Sequence, residues 1–98
     1  TALQKAAYNG HTAVAELLLA NPAIDVNTSN SDGWTAMQMA AYYGHTAVVE
    51  LLLANPAINP HKANNNGETP LQVAELQGHT AIATAIREKT ATKGARRR

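Results

Sequence analysis

The side chains of this chain that could carry acid–base, nucleophilic or metal chemistry are four histidines, seven carboxylates and two serines. His11, His45 and His79 stand 34 residues apart, each directly after a glycine. Zinc holds its ligand atoms at about 2 Å, so histidines placed once per long interval are too far apart to share one ion. The spacing predicts turn residues whose imidazoles hydrogen-bond to backbone. His61 stands alone and reads as solvated. Glu16, Asp25, Asp32, Glu50, Glu68, Glu75 and Glu88 are dispersed, and none forms a motif with a nucleophile. Ser29 and Ser31 lack the Gly-x-Ser-x-Gly surroundings of a nucleophile elbow. The glycines never cluster into a phosphate-cradling loop. With no cysteine, disulfides and thiolate sites are excluded. These residues predict no catalytic residue, no metal site and no cofactor, and therefore no enzyme.

What positions them is a repeat. Gly10, Gly44 and Gly78 share the 34-residue step, as do Thr1, Thr35 and Thr69, and Gly33 and Gly67. Aligning residues 1–34 with 35–68 gives 22 identical positions, a mark of recent duplication or of consensus design. A fixed period of this length signals stacked supersecondary units. Each unit opens with a Thr and a short helical segment, predicted over 2–9, 36–43 and 70–77, with Ala-rich centres that let helices approach closely. A glycine then ends the segment, because it accepts the left-handed conformation. Thr12, Thr46 and Thr80 are the expected N-caps of a second helix. Its apolar face is Val14, Leu17 and Leu18 in the first unit, then Val48, Leu51 and Leu52, then Ile82, Ala85 and Ile86. Asn21-Pro22 and Asn55-Pro56 should stop this helix near Ala20 and Ala54, since the residue before proline is pushed out of the α region. Helices this short are marginal alone and persist only by burying a face on the neighbouring unit.

Thr-Ala-Leu-Gln, Thr-Ala-Met-Gln and Thr-Pro-Leu-Gln, followed by an Ala-rich centre, Gly-His and Val-x-x-Leu-Leu-Leu, resemble the ankyrin repeat over residues 1–88. The resemblance implies an all-α ankyrin-repeat solenoid: stacked antiparallel helix pairs with projecting hairpin-like loops. Residues 1–34, 35–68 and 69–88 are then repeats one, two and three, and 89–98 is a basic, disordered tail. It also implies a non-catalytic scaffold that binds another protein through its concave face and finger loops. Three departures stand out. Gln4, Gln38 and Gln72 replace the motif histidine, although glutamine still both donates and accepts. The unit has 34 residues where the family usually has 33, with Asn-Pro-Ala at the helix end. Pro60 stands where the first finger has Val26, and with no N–H it should interrupt strand-like pairing. Leu19 and Asp25-Val26-Asn27 are similar to the pattern of ankyrin repeats hydroxylated on that asparagine, which makes Asn27 a candidate hydroxylation position.

The ends of a solenoid must meet water. Arg87 and Glu88 replace Leu53 and Ala54, and Glu75 replaces Ala41, so the third repeat reads as a C-terminal cap. Lys5, at the place of Met39 and Val73, marks either an N-terminal cap or a boundary with further repeats upstream. In the family pattern all four aromatic residues fall at surface positions. Exposed aromatics are enriched in binding hot spots. The expected partner-binding surface is therefore centred on Trp34, Tyr42 and Tyr43. Tyr8 and Asn9 flank it on one side and Glu68, Leu76 and Gln77 on the other, with Ser31, Asp32, Asn65 and Asn66 as a polar rim. Scaffold packing over the neighbouring helix is the competing role for these rings.

Net charge is +1, so overall charge selects no partner class. Six of the eight basic residues lie within 87–98. That tail reads first as a solubilising end. Docking on nucleic acid or anionic membrane comes second, as does a designed scaffold with no natural partner. No small-molecule substrate is implied, and no apolar run is long enough to span a bilayer. The absence of cysteine is compatible with a cytoplasmic or nuclear setting.

Overall fold

The computed structural model describes the backbone of residues 1–95 and the side chains of residues 1–90. Among the described residues the helices are α1 (Ala2–Asn9), α2 (Thr12–Leu19), α3 (Ala36–Tyr43), α4 (Thr46–Ala54), α5 (Pro70–Leu76) and α6 (Thr80–Ala95). They pair as α1 with α2, α3 with α4 and α5 with α6. Across the pairs, α1, α3 and α5 pack in one row and α2, α4 and α6 in a second.

The Thr at the head of each repeat caps its first helix. Thr1, Thr35 and Thr69 accept the backbone N–H of Gln4, Gln38 and Gln72 at 3.1, 3.2 and 3.3 Å. Gln4 and Gln72 return the bond, each Oε1 taking the backbone nitrogen of its Thr at 2.9 Å, which completes a capping box. The glutamine that replaces the family histidine does more than cap. Gln38 Nε2 donates to the carbonyls of Lys62 at 2.8 Å and Glu68 at 2.7 Å, so a helix start in one repeat holds the loop that follows it. Gln4 does the same to Thr28 and Trp34 at 2.8 and 3.4 Å. Gln38 Oε1 is buried without a partner.

The second helices begin one residue earlier than expected. His11 and His45 are the N-caps of α2 and α4, without a side-chain bond, and Thr12, Thr46 and Thr80 are already helical. The turn is closed by backbone instead: His11, His45 and His79 donate their N–H to Ala6, Ala40 and Ala74 at 2.9 Å. The imidazoles reach across to the preceding pair. Nε2–H of His45 donates to the Tyr8 carbonyl and that of His79 to the Tyr42 carbonyl, both at 3.0 Å. The imidazole bond read from the spacing is made by His45 and His79, where it is also a stacking bond, and His11 makes none among the described residues.

The shared interior follows the predicted face in the second and third units. Val48, Leu52, Ile82 and Ile86 are buried, with Ala6, Ala7, Ala40, Ala41 and Ala74 between the close-packed helices. Leu18, Leu51 and Ala85 pack partly against it. The first unit departs: Val14 is 45 % and Leu17 76 % exposed. Their equivalents face the pair before them, and in this structure the α2 face meets solvent. At the other end Arg87 and Glu75 form an ion pair with both side chains about half exposed, so these polar replacements lie at the surface. α6 runs on past residue 88 to Ala95, because nothing like Asn-Pro intervenes to stop it. Of the expected tail, residues 96–98 lie outside the described residues.

The fingers are turns held by asparagine, with a single bridge, Ser29 to Thr35, in place of a regular hairpin. Asn30 and Asn64 each close an i to i+3 turn onto Gly33 and Gly67 at 2.9 Å. Successive fingers are laced together. Asn65 donates its backbone N–H to the Asp32 carbonyl at 3.0 Å and its amide to the Ser31 carbonyl at 2.9 Å. Asn27 spends its whole side chain on the next loop, giving Nδ2–H to Ala57 at 2.8 Å and accepting from the Asn59 N–H at 2.8 Å.

Candidate functional site

The aromatic residues come together because each sits at a fixed place in a repeat. Tyr42 and Tyr43 are the last residues of α3, and Tyr8 lies in the last turn of α1. Side-by-side packing of α1 and α3 brings Tyr8 against Tyr43, with ring centroids 4.7 Å apart. Trp34 follows the first finger, where Asn30 Oδ1 accepts the N–H groups of Asp32 at 2.9 Å and Trp34 at 3.0 Å and so fixes the backbone. Its ring meets Tyr42 at 5.5 Å, and Tyr42 meets Tyr43 at 4.8 Å. The four rings form one continuous row, Trp34, Tyr42, Tyr43 and Tyr8. The interplanar angles of 75°, 68° and 58° are those of edge-to-face and tilted contacts, the arrangement favoured by ring quadrupoles.

Tyr8 is 50 %, Tyr42 37 % and Tyr43 45 % exposed, so the row is not core. Trp34 differs from the surface position expected for it. It is half-buried and packs against the core. The contact and scaffold roles weighed for this residue both have a physical basis. The Tyr43 phenol is held above its usual pKa, first by hydrogen bonding with the Tyr8 side chain, then by desolvation and the neighbouring phenols. Losing that proton would give up the hydrogen bond that the neutral phenol makes with Tyr8.

Two crevices open beside the row. The first, about 290 Å³, is lined by Tyr8, Asn30, Asp32, Trp34, Met39, Tyr42 and Tyr43. The second, about 210 Å³, is lined by Trp34, Tyr42, Asn66, Glu68, Val73, Leu76 and Gln77. They are the same crevice one repeat apart. A step of 34 residues carries Tyr8 to Tyr42, Asp32 to Asn66, Trp34 to Glu68, Met39 to Val73, Tyr42 to Leu76 and Tyr43 to Gln77. Trp34 and Tyr42 form the wall between them.

Of the residues singled out from sequence, Tyr8, Asp32, Trp34, Tyr42, Tyr43, Asn66, Glu68, Leu76 and Gln77 line one crevice or the other. Asn9, Ser31 and Asn65 line neither. Asn9 bonds back to the Lys5 carbonyl at 3.0 Å, while Ser31 and Asn65 are engaged in finger lacing. Asn30, Met39 and Val73 were missed. The signal for Asn30 was its identity with Asn64 four residues before the variable Trp34/Glu68 position. Met39 and Val73 share the Lys5 position, which varies between units and so faces something that changes. Asn27 lies outside both crevices, with its amide committed to loop stacking. Among the described residues no group of three or more His, Cys, Asp or Glu could hold a metal ion.

Paired helices stacked in two rows, with fingers laced along one edge and side chains varied at one surface, define a repeat scaffold for protein interaction. A family model of ankyrin repeats in three copies matches residues 3–97, and the chain belongs to the ankyrin repeat family. Ankyrin repeats are protein-interaction modules. A comparison with curated protein sequences finds no match. Among solved structures the fold is similar to a chain in the complex of Bd0816 predatory endopeptidase from Bdellovibrio bacteriovorus with immunity protein Bd3460. The TM-score is 0.83 with 30 % sequence identity, over 91 % of this chain and 46 % of that one. This chain therefore spans about half the length of that neighbour.

Proposed function

We propose that this chain is a non-catalytic scaffold that binds a partner protein through the surface of the first helices and finger loops, with Trp34 and Tyr42 as the central anchors. The observation that carries this reading is the row of four partly exposed aromatic rings between two crevices. The core does not need three tyrosines at its edge, and the third repeat manages with Leu76 and Gln77 at the same places. Exposed aromatics held rigidly bind at low entropic cost, because few rotamers are left to freeze. The structural neighbour, whose title describes an endopeptidase bound to an immunity protein, agrees with partner binding by such a fold.

The test compares the intact chain with a Trp34→Ala/Tyr42→Ala variant. Proteins retained by the first and released by the second are purified and titrated by calorimetry. Each lost anchor is expected to weaken binding by about 2 kcal/mol, which is about thirtyfold in Kd. Circular dichroism should show the helices of the variant intact. Undiminished binding by a folded double variant removes the proposal. Binding that depends on the basic C-terminal residues and falls steeply with salt would favour the nucleic-acid reading instead.

A further inference from the structure

We propose that the first crevice is a cation slot, shaped to hold the ammonium or guanidinium group of a Lys or Arg side chain on the partner. This deepens the reading above, since the slot is part of the same surface. Four aromatic rings contribute to one space of about 290 Å³. Their planes are inclined at 58° to 75° to one another, so the rings do not pack into one flat layer. The face of an aromatic ring carries the negative end of its quadrupole and attracts a cation within about 6 Å of the centroid.

Charge favours the same occupant. Asp32 is the one carboxylate lining this crevice, and no Lys or Arg lines either crevice. The Asp32 backbone is fixed on both sides, its N–H by Asn30 and its carbonyl by Asn65. Its carboxylate has no hydrogen-bond or ion-pair partner among the described residues. An unpartnered acid on a fixed backbone in the lining of an aromatic crevice complements a cation. An apolar occupant would gain contact with the rings but nothing from Asp32.

The repeat itself supplies an internal comparison. One step along, Asn66, Glu68, Leu76 and Gln77 replace Asp32, Trp34, Tyr42 and Tyr43. The backbone frame is retained, yet the second crevice keeps only the shared wall of Trp34 and Tyr42, while Tyr8, Tyr43 and the unpartnered acid belong to the first. The Glu68 carboxylate in the second already accepts from Asn64 Nδ2 at 3.1 Å. The repeat frame therefore does not require this chemistry, and the second crevice shows that the fold stands without it.

Choline and its uncharged isostere 3,3-dimethylbutan-1-ol separate charge from shape. Each is titrated into the intact chain at constant ionic strength while the Trp34 indole N–H resonance is followed. Choline is expected to saturate and to bind about five- to tenfold more tightly than the isostere. Asp32→Asn should reduce that advantage several-fold and leave isostere binding unchanged. A Tyr42→Leu/Tyr43→Gln variant, which installs the third repeat's own residues, should abolish it while circular dichroism stays unaltered. Equal affinity for the two alcohols, or an indole resonance that neither moves, overturns the cation slot. Neither outcome touches the interaction reading, which stands or falls on partner capture by the Trp34→Ala/Tyr42→Ala variant. A choline preference beside unaffected capture would leave a cation-binding crevice but remove both that reading and the partner's side chain as its occupant.

Discussion

At the scale of single residues, the glutamines show how one side chain can serve two structural levels. Gln38 is fully buried and gives its amide to two loop carbonyls of the same repeat. Gln72 occupies the same place in the third repeat but is exposed, and its bonds stay within its own cap. Gln38→Ala leaves the partly buried Lys62 and Glu68 carbonyls without these donors, at up to about 1–3 kcal/mol each. Gln72→Ala loses only the return bond of a capping box, about 1 kcal/mol or less. Urea unfolding of the two variants should therefore differ by at least twofold in lost stability. Similar losses would mean that the loop tethers contribute nothing. Tyr43 offers a second check. Its phenol has a raised pKa in the folded chain, so the protonated form is the one the fold prefers. That preference is present below the ordinary tyrosine value of 10.0 and is lost as pH rises through the folded value. Stability should fall across this alkaline window, and Tyr43→Phe should make the fall shallower. The urea midpoint against pH, read beside phenolate absorbance, measures both.

At the scale of elements, α1 and α3 match the segments read from sequence, and α5 ends at Leu76, a residue before the expected 77. Repetition made this possible: three copies of one pattern average out local ambiguity. What was not legible is where the turn side chains go. Thr12 and Thr46 have the chemistry of a cap, but the preceding histidine takes the position, because the Gly-His backbone closes onto the alanine of the helix before it. Nor could the sequence show that each imidazole lies over the glycine of the preceding repeat. A Cβ placed on Gly44 would lie 2.9 Å from His79 Cε1, whereas nothing lies within 4 Å of one on Gly78. Both glycines have left-handed φ, 78° and 75°. Gly44→Ala and Gly78→Ala thus share a backbone cost of about 1–2 kcal/mol. Gly44→Ala should cost about 1–3 kcal/mol more, from crowding against the imidazole. In a His79→Ala background the two should converge, and a gap that survives there would place the extra cost elsewhere.

At the scale of the molecule, a solenoid has no single centre, and each pair is held by its neighbours. The period alone was enough to place the shared interior. It could not show which copy of the apolar face would be covered, because Val14, Val48 and Ile82 are interchangeable in sequence and differ only in what packs on them. The candidate site was legible for a related reason. Where repeats are nearly identical, the positions that break the pattern draw attention, and Trp34 and Tyr43 are two of them. Their joining into one row was not legible, since it depends on α1 and α3 lying side by side. Position in the stack therefore decides what a leucine contributes. Leu52 is fully buried between neighbouring pairs, while Leu17, on the α2 face turned to solvent, is 76 % exposed. Leu52→Ala should cost about 2–5 kcal/mol, a large share of the roughly 5–15 kcal/mol that holds a domain together. Leu17→Ala should change stability by about 0.5 kcal/mol or less. Because the pairs support one another, loss at Leu52 should lower the protection of amides in α2 and α6 as well as α4. Hydrogen exchange confined to α4 in Leu52→Ala would mean that the pairs stand independently, and that neighbour packing is not what keeps the aromatic row in place.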